Sequence, residues 1–102
     1  MNAEQKAKKK AVGAARKLHR MFPGINGIRE ASFWGRPGAI HLGDAAEGGT
    51  IDELPAATMY DEYGLYKLGY EFGIHPKLVK ALSDLGFYAE FHDGGTVLAY
   101  QG

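Results

Sequence analysis

From Asn2 to Phe22 the apolar residues recur at helical spacing. Ala7, Ala11, Ala14, Ala15, Leu18, Met21 and Phe22 fall within roughly 120° of one another on a helical wheel, while Lys6, Lys9, Lys10, Arg16, Lys17 and Arg20 take the other side. This predicts an amphipathic helix over 1–22, ended by Pro23 and Gly24. The first half of its apolar stripe is all alanine, which buries little area. Its turns before about Lys10 are therefore expected to fray, with order setting in after Ala14.

Further along, the pattern shifts from helical spacing to short β-branched and aromatic runs. Ile28 to Trp34 reads as a strand, Gly35-Arg36-Pro37-Gly38 as a turn and Ala39 to Leu42 as the returning strand. Gly, Ala and acids (Asp44, Glu47, Asp52, Glu53) dominate 43–54, which predicts an exposed, mobile acidic loop. Asp61 is placed to cap a helix running to about Phe72, with Gly73 just past its end. His75-Pro76 opens another helix that buries Leu78, Val79, Leu82 and Leu85 and stops at Gly86. Phe87–His92 and Thr96–Tyr100 flank Asp93-Gly94-Gly95, a strong hairpin signal. The expected fold is α+β: one two-layer domain over 1–102, with a basic N-terminal helix and two hairpins forming an antiparallel sheet of about four strands. A helix–turn–helix pair lies between the hairpins.

Charge changes this picture. Residues 1–20 hold seven of the twelve Lys and Arg against a single acid, Glu4, whereas residues 21–102 hold five cations against eleven acids. A net charge of zero thus conceals a basic arm on an acidic body, a pattern that bears on partners rather than on fold. Zero cysteines exclude disulfides, thiol nucleophiles and thiolate zinc sites, and they fit a cytoplasmic protein. No apolar run has the length of a membrane span, and the basic N-terminus lacks the apolar stretch of an export signal.

Three features carry functional expectations. The cations Lys9, Lys10, Arg16, Lys17 and Arg20 form a face suited to an anionic surface, nucleic acid included; a solvated outer face, or one tethered to the acidic body or loop of the same chain, is the alternative. Within Leu65–Asp84, Leu68 and Gly69, then Gly73 and Ile74, then Val79 and Leu82 stand at spacings that resemble the helix–turn–helix family over about a fifth of the chain. That resemblance implies a winged-helix-like nucleic-acid binder, with the last hairpin as the wing and only His75, Lys77 and Lys80 as basic groups on the reading helix. Finally, Tyr63, Tyr66 and Tyr70 fall opposite Leu65, Leu68 and Phe72 on the expected 61–72 helix. One side must meet the core. The tyrosine side is then either a partner-binding surface or a second buried face.

Catalytic chemistry has little to stand on. His19, His41, His75 and His92 are dispersed, neither serine sits in a nucleophile-elbow context, and the Gly-Gly pairs lack a following Lys-Ser/Thr. The sequence therefore predicts a non-enzymatic interaction protein that needs no cofactor or metal. Its partner is expected to be another protein or a copy of itself, with nucleic acid as the alternative.

Overall fold

Helix α1 (Ala3–Met21) begins where its free backbone donors find partners. The Asn2 side chain accepts from Gln5 N at 2.8 Å, and the Gln5 side chain accepts from Asn2 N at 3.0 Å, a reciprocal cap. The computed structural model describes residues 1–60 and 64–102. Ala11, Ala14, Ala15 and Leu18 of α1 are buried as the apolar stripe requires. Docking starts earlier than the small area of these alanines implies. The Gln101 side-chain amide donates to Ala7 O at 2.8 Å and to Gly38 O at 3.0 Å, which ties the first turns of α1 to the sheet. Met21, at the edge of the stripe and the end of the helix, stays exposed.

Strands β1 (Ile28–Glu30), β2 (Ile40–Leu42), β5 (Phe87–Asp93) and β6 (Thr96–Gln101) form an antiparallel sheet in the order β1-β2-β6-β5. The Asp93 carboxylate accepts from Gly95 N at 2.9 Å and closes the β5–β6 turn, with a bulge between Phe91 and Asp93. Ile28, Ile40, Leu42, Val97 and Ala99 meet Leu18 of α1 and Leu78 and Leu82 of helix α2 (Pro76–Asp84) in one core. Burying each of the Ile, Leu and Val side chains contributes about 2 kcal/mol. The His75 ring caps α2, its Nδ1 accepting from Lys77 N at 3.1 Å, and Pro76 fills the first helical position. The expected α+β architecture is present.

The other face of the sheet is marked by the rung Arg29–His41–Leu98–Glu90. Leu98 is buried there with Ala31 and Ala39, beneath Trp34 and Tyr100.

Three segments differ from expectation. The first predicted strand stops at Glu30, and Ala31–Trp34 forms a 3-10 turn instead. Glu30 is the reason: its carboxylate accepts from Ser32 N, Ser32 Oγ at 2.7 Å and Gly38 N, which bends the chain over the sheet. The 43–54 stretch carries a small hairpin, β3 (Thr50–Ile51) with β4 (Leu54–Pro55), and it buries Ala45 and Ile51 against the core. Its acids are used locally, Asp44 accepting from Asn26 N at 2.8 Å and Asp52 pairing with Lys77 at 2.5 Å.

The helix expected over 61–72 is absent from its described part. Asp61 and Tyr63 lie outside the described residues. Leu65–Leu68 is a 3-10 turn between Gly64 and Gly69, whose φ values are +66° and +94°. A glycine costs about 1 kcal/mol against alanine inside a helix, and here two stand within six residues in a conformation that ends one. The expected helix–turn–helix pair is therefore α2 alone, and the winged-helix reading loses its first helix.

Candidate functional site

Without that helix the tyrosine stripe is dispersed. Tyr70 is only 7% exposed, and its hydroxyl donates to the Pro55 carbonyl. Burial holds that phenol above its ordinary pKa. Tyr66 is 63% exposed, and Tyr63 lies outside the described residues. Of the proposed anchors, then, Tyr70 belongs to the interior and Tyr66 to the surface.

The surface beside Tyr66 has a stronger feature, which sequence reasoning missed. Glu71 and Ile74 exchange backbone hydrogen bonds of 3.1 and 2.9 Å across Phe72-Gly73, and both of these central residues have positive φ, +49° and +81°. Such a two-residue turn is normally made by Asn-Gly. Here its first position holds a phenylalanine whose side chain is 97% exposed. The turn is held by the body: Gly73 O accepts from Thr58 N at 2.8 Å, and a Cβ on Gly73 would collide with the Thr58 carbonyl. Phe72 stands between two clefts. One, of about 140 Å³, is lined by Met59, Tyr60 and Tyr66 with Leu65 and Tyr70 beneath. The other, of about 310 Å³, lies between α2 and β5 and is lined by Val79, Leu82 and Phe87. The available signal was the Phe-Gly pair inside a segment already rich in glycine.

The expected basic residues Lys9, Lys10, Arg16, Lys17 and Arg20 are all exposed. Among the described residues the ion pairs are Lys77–Asp52 and Lys80–Asp84, and none involves α1. The arm is therefore not tethered to the acidic body by such pairs. It is also not one face. Lys10 turns toward β5, its Nζ 5.6 Å from the centre of the Phe87 ring. Arg16, His19 and Arg20 instead line a groove of about 400 Å³ between α1 and the edge strand β1, with Val12, Ala15 and Ile28 beneath. Arg29 lines the same groove from β1, and its guanidinium lies 3.8 Å from the centre of the Phe33 ring. From there the ring contacts run on across the outer face of the sheet. Phe33 lies 5.3 Å from His41, and Trp34 lies 5.9 Å from His41 and 4.5 Å from His92.

Glu30 also borders the groove. Burial works to raise its pKa, but the hydrogen bonds from Gly38 and Ser32 prevail and hold it below the ordinary value. The His41 pKa is pushed down by burial and by Arg29, and its Nδ1 accepts from Gly43 N. The His75 pKa is likewise pushed down by burial, against an opposing pull from Asp52. Both rings serve as backbone acceptors. Among the described residues no three His, Asp or Glu side chains are grouped to hold a metal ion, and no helix is long and apolar enough to cross a membrane. No protein-family model, curated protein or solved structure matches the chain. The functional reading rests on geometry.

Proposed function

We propose that this chain is a small non-enzymatic docking protein, and that it engages another protein or a second copy of itself through the apolar surface around Phe72. The observation that carries the reading is Phe72 itself. A large aromatic side chain is held fully in water on a left-handed backbone, a combination that contributes nothing to folding and costs about 1–2 kcal/mol. Exposed aromatics beside a cleft are also the composition of interface anchors. Self-association has a specific support: the larger cleft beside Phe72, lined by Val79, Leu82 and Phe87, is mostly apolar, so a two-fold pairing would seat each ring in that cleft of the other copy. The basic groove would then mainly steer the encounter, and a cysteine-free chain fits that role in a reducing cytoplasm.

The test compares wild type with Phe72→Ala. Sedimentation velocity over a range of concentrations reads self-association, and nuclease-treated affinity capture from the native cells reads partner retention. The reading expects one of these interactions to weaken at least tenfold in Phe72→Ala with an unchanged thermal melt. An interaction indifferent to Phe72, or none under either assay, would refute it.

A further inference from the structure

The groove between α1 and β1 has a chemistry separate from the Phe72 surface. Arg16 and Arg20 come from α1 and Arg29 from β1, so three arginines on two elements line one channel with an apolar floor, and the Arg29 guanidinium leaves it toward Phe33 on the outer face of the sheet. No ion pair consumes any of them among the described residues. Glu30 is the acid on the channel, and hydrogen bonds from Ser32 and Gly38 hold its carboxylate in place in the charged form. Three arginines against one carboxylate leave the channel with a net positive charge, which favours an anion carrying more than one charge.

At the end of the channel the Arg29 guanidinium lies over the half-exposed Phe33 ring, and Trp34, His41 and His92 follow across the sheet. A second shallow depression on that face, of about 460 Å³, contains Arg36, Tyr88 and Tyr100. Glu90, on the same rung as Leu98, is the acid that interrupts this face. Phosphate-binding arginines beside flat rings are what single-stranded nucleic acid requires, since its unpaired bases stack on aromatic side chains or on guanidinium planes. An acidic protein segment would use the arginines but leave the ring platform without a role. A duplex buries its bases and would do the same.

We infer that the channel binds single-stranded nucleic acid, with backbone phosphates on Arg16, Arg20 and Arg29 and the next base stacked on the Arg29–Phe33 pair. The proposal does not depend on the Phe72 reading.

Fluorescence anisotropy with labelled U20 and dT20 tests it on the full chain, with an unlabelled 20-base-pair duplex and heparin as competitors. Three phosphate contacts predict a slope of log K against log salt of about −2, and Arg16→Glu with Arg20→Glu should flatten it. Arg29→Glu should weaken binding at least tenfold. Lys67→Glu makes the same change in net charge far from the channel and should change binding less than threefold. Phe33→Ala should weaken U20 binding roughly fivefold or more with the salt slope unchanged, because it removes stacking and no charge. Phe72→Ala should leave U20 binding intact. Circular dichroism melts establish that each variant is folded. The proposal is overturned if U20 and dT20 fail to bind at low salt, or if Arg29→Glu and Lys67→Glu behave alike. It also fails if duplex or heparin competes as well as U20 while Phe33→Ala has no effect, which would leave a general polyanion surface. Loss of a captured acidic protein on Arg29→Glu, without U20 binding, would reassign the groove and overturn the proposal as well.

Discussion

Replacing Phe72 by asparagine should make this protein more stable. Phe72 has φ +49° and leads a two-residue turn in which Gly73 follows at +81°. A side chain with a Cβ pays about 1–2 kcal/mol in that region, and asparagine tolerates it several times better than phenylalanine does. Because the Phe72 side chain is 97% exposed, its removal forfeits almost no buried area. The net gain expected for Phe72→Asn is therefore about 1 kcal/mol, or about 5 °C in melting temperature for a domain of this size. Phe72→Gly relieves the same strain but loosens the unfolded chain by about 0.5–1 kcal/mol, so it should fall between no change and the asparagine value. Phe72→Ala keeps the Cβ, hence the strain, and should lie within about 0.5 kcal/mol of wild type. Urea titrations followed by circular dichroism give the three free energies with a common m-value. The order Asn above Gly, with Ala near wild type, is specific to a strained and exposed residue. A loss of about 3–5 kcal/mol in Phe72→Ala would show that the ring is packed inside the fold, and a destabilised Phe72→Asn would show that the turn is not strained. Either result refutes the reasoning.

Other residues give sharp expectations. Tyr70→Ala should lose about 3–5 kcal/mol by chemical denaturation, whereas Tyr66→Ala should lose no more than about 1 kcal/mol; equal losses would restore the stripe. Glu30→Ala should cost about 2 kcal/mol, since three hydrogen bonds to one carboxylate hold the Ala31–Trp34 turn, and a neutral result would mean that the turn stands without them. Stability should also fall as pH drops below about 6.5, because His41 and His75 have folded pKa values lowered by burial and the unfolded chain takes up protons first. Each contributes a slope of up to about 1.4 kcal/mol per pH unit between its lowered and ordinary values; His75→Asn, which keeps a capping acceptor, should remove one share, and a flat wild-type profile from pH 7 to 5 would contradict this.

What was legible in the sequence is what local chemistry decides. Asp93-Gly94-Gly95 closes its own turn through the Asp93 carboxylate, and His75-Pro76 caps its own helix, so both were readable over three or four residues. The α1 stripe was readable because one side of a long helix must repeat. Elsewhere distant partners decided the outcome. Ala-Ser-Phe-Trp has strand composition, yet Glu30 reaches Gly38, eight residues on, and turns the chain. Leu65, Leu68 and Phe72 keep helical spacing, yet Ile74 pairs with Ala57 and His75 N donates to Ala56 O, which ties the end of the segment to a distant one. Helical spacing over so short a stretch did not outweigh two glycines and a bridge to a distant segment.

The candidate surfaces divide along the same line. The cations of α1 were visible in sequence, but their partition was not, because it depends on which flank of the helix β1 occupies. Arg29 comes to line the same groove as Arg16 and Arg20 only because α1 docks beside β1, across nine or more positions of sequence. The cations outside α1 are partly neutralised where they stand, Lys77 by Asp52 and Lys80 by Asp84, whereas among the described residues no ion pair involves those of α1. A formal charge of zero is consequently a poor description of what a ligand meets. The groove flanks β1 at one edge of the four-stranded sheet, while Phe72 stands beside the cleft that borders β5 at the other. The α1–β1 channel shares no lining residue with either cleft beside Phe72. If both surfaces are used, a single small domain can hold a strand of nucleic acid and a protein at once, and each should bind with the affinity it has alone.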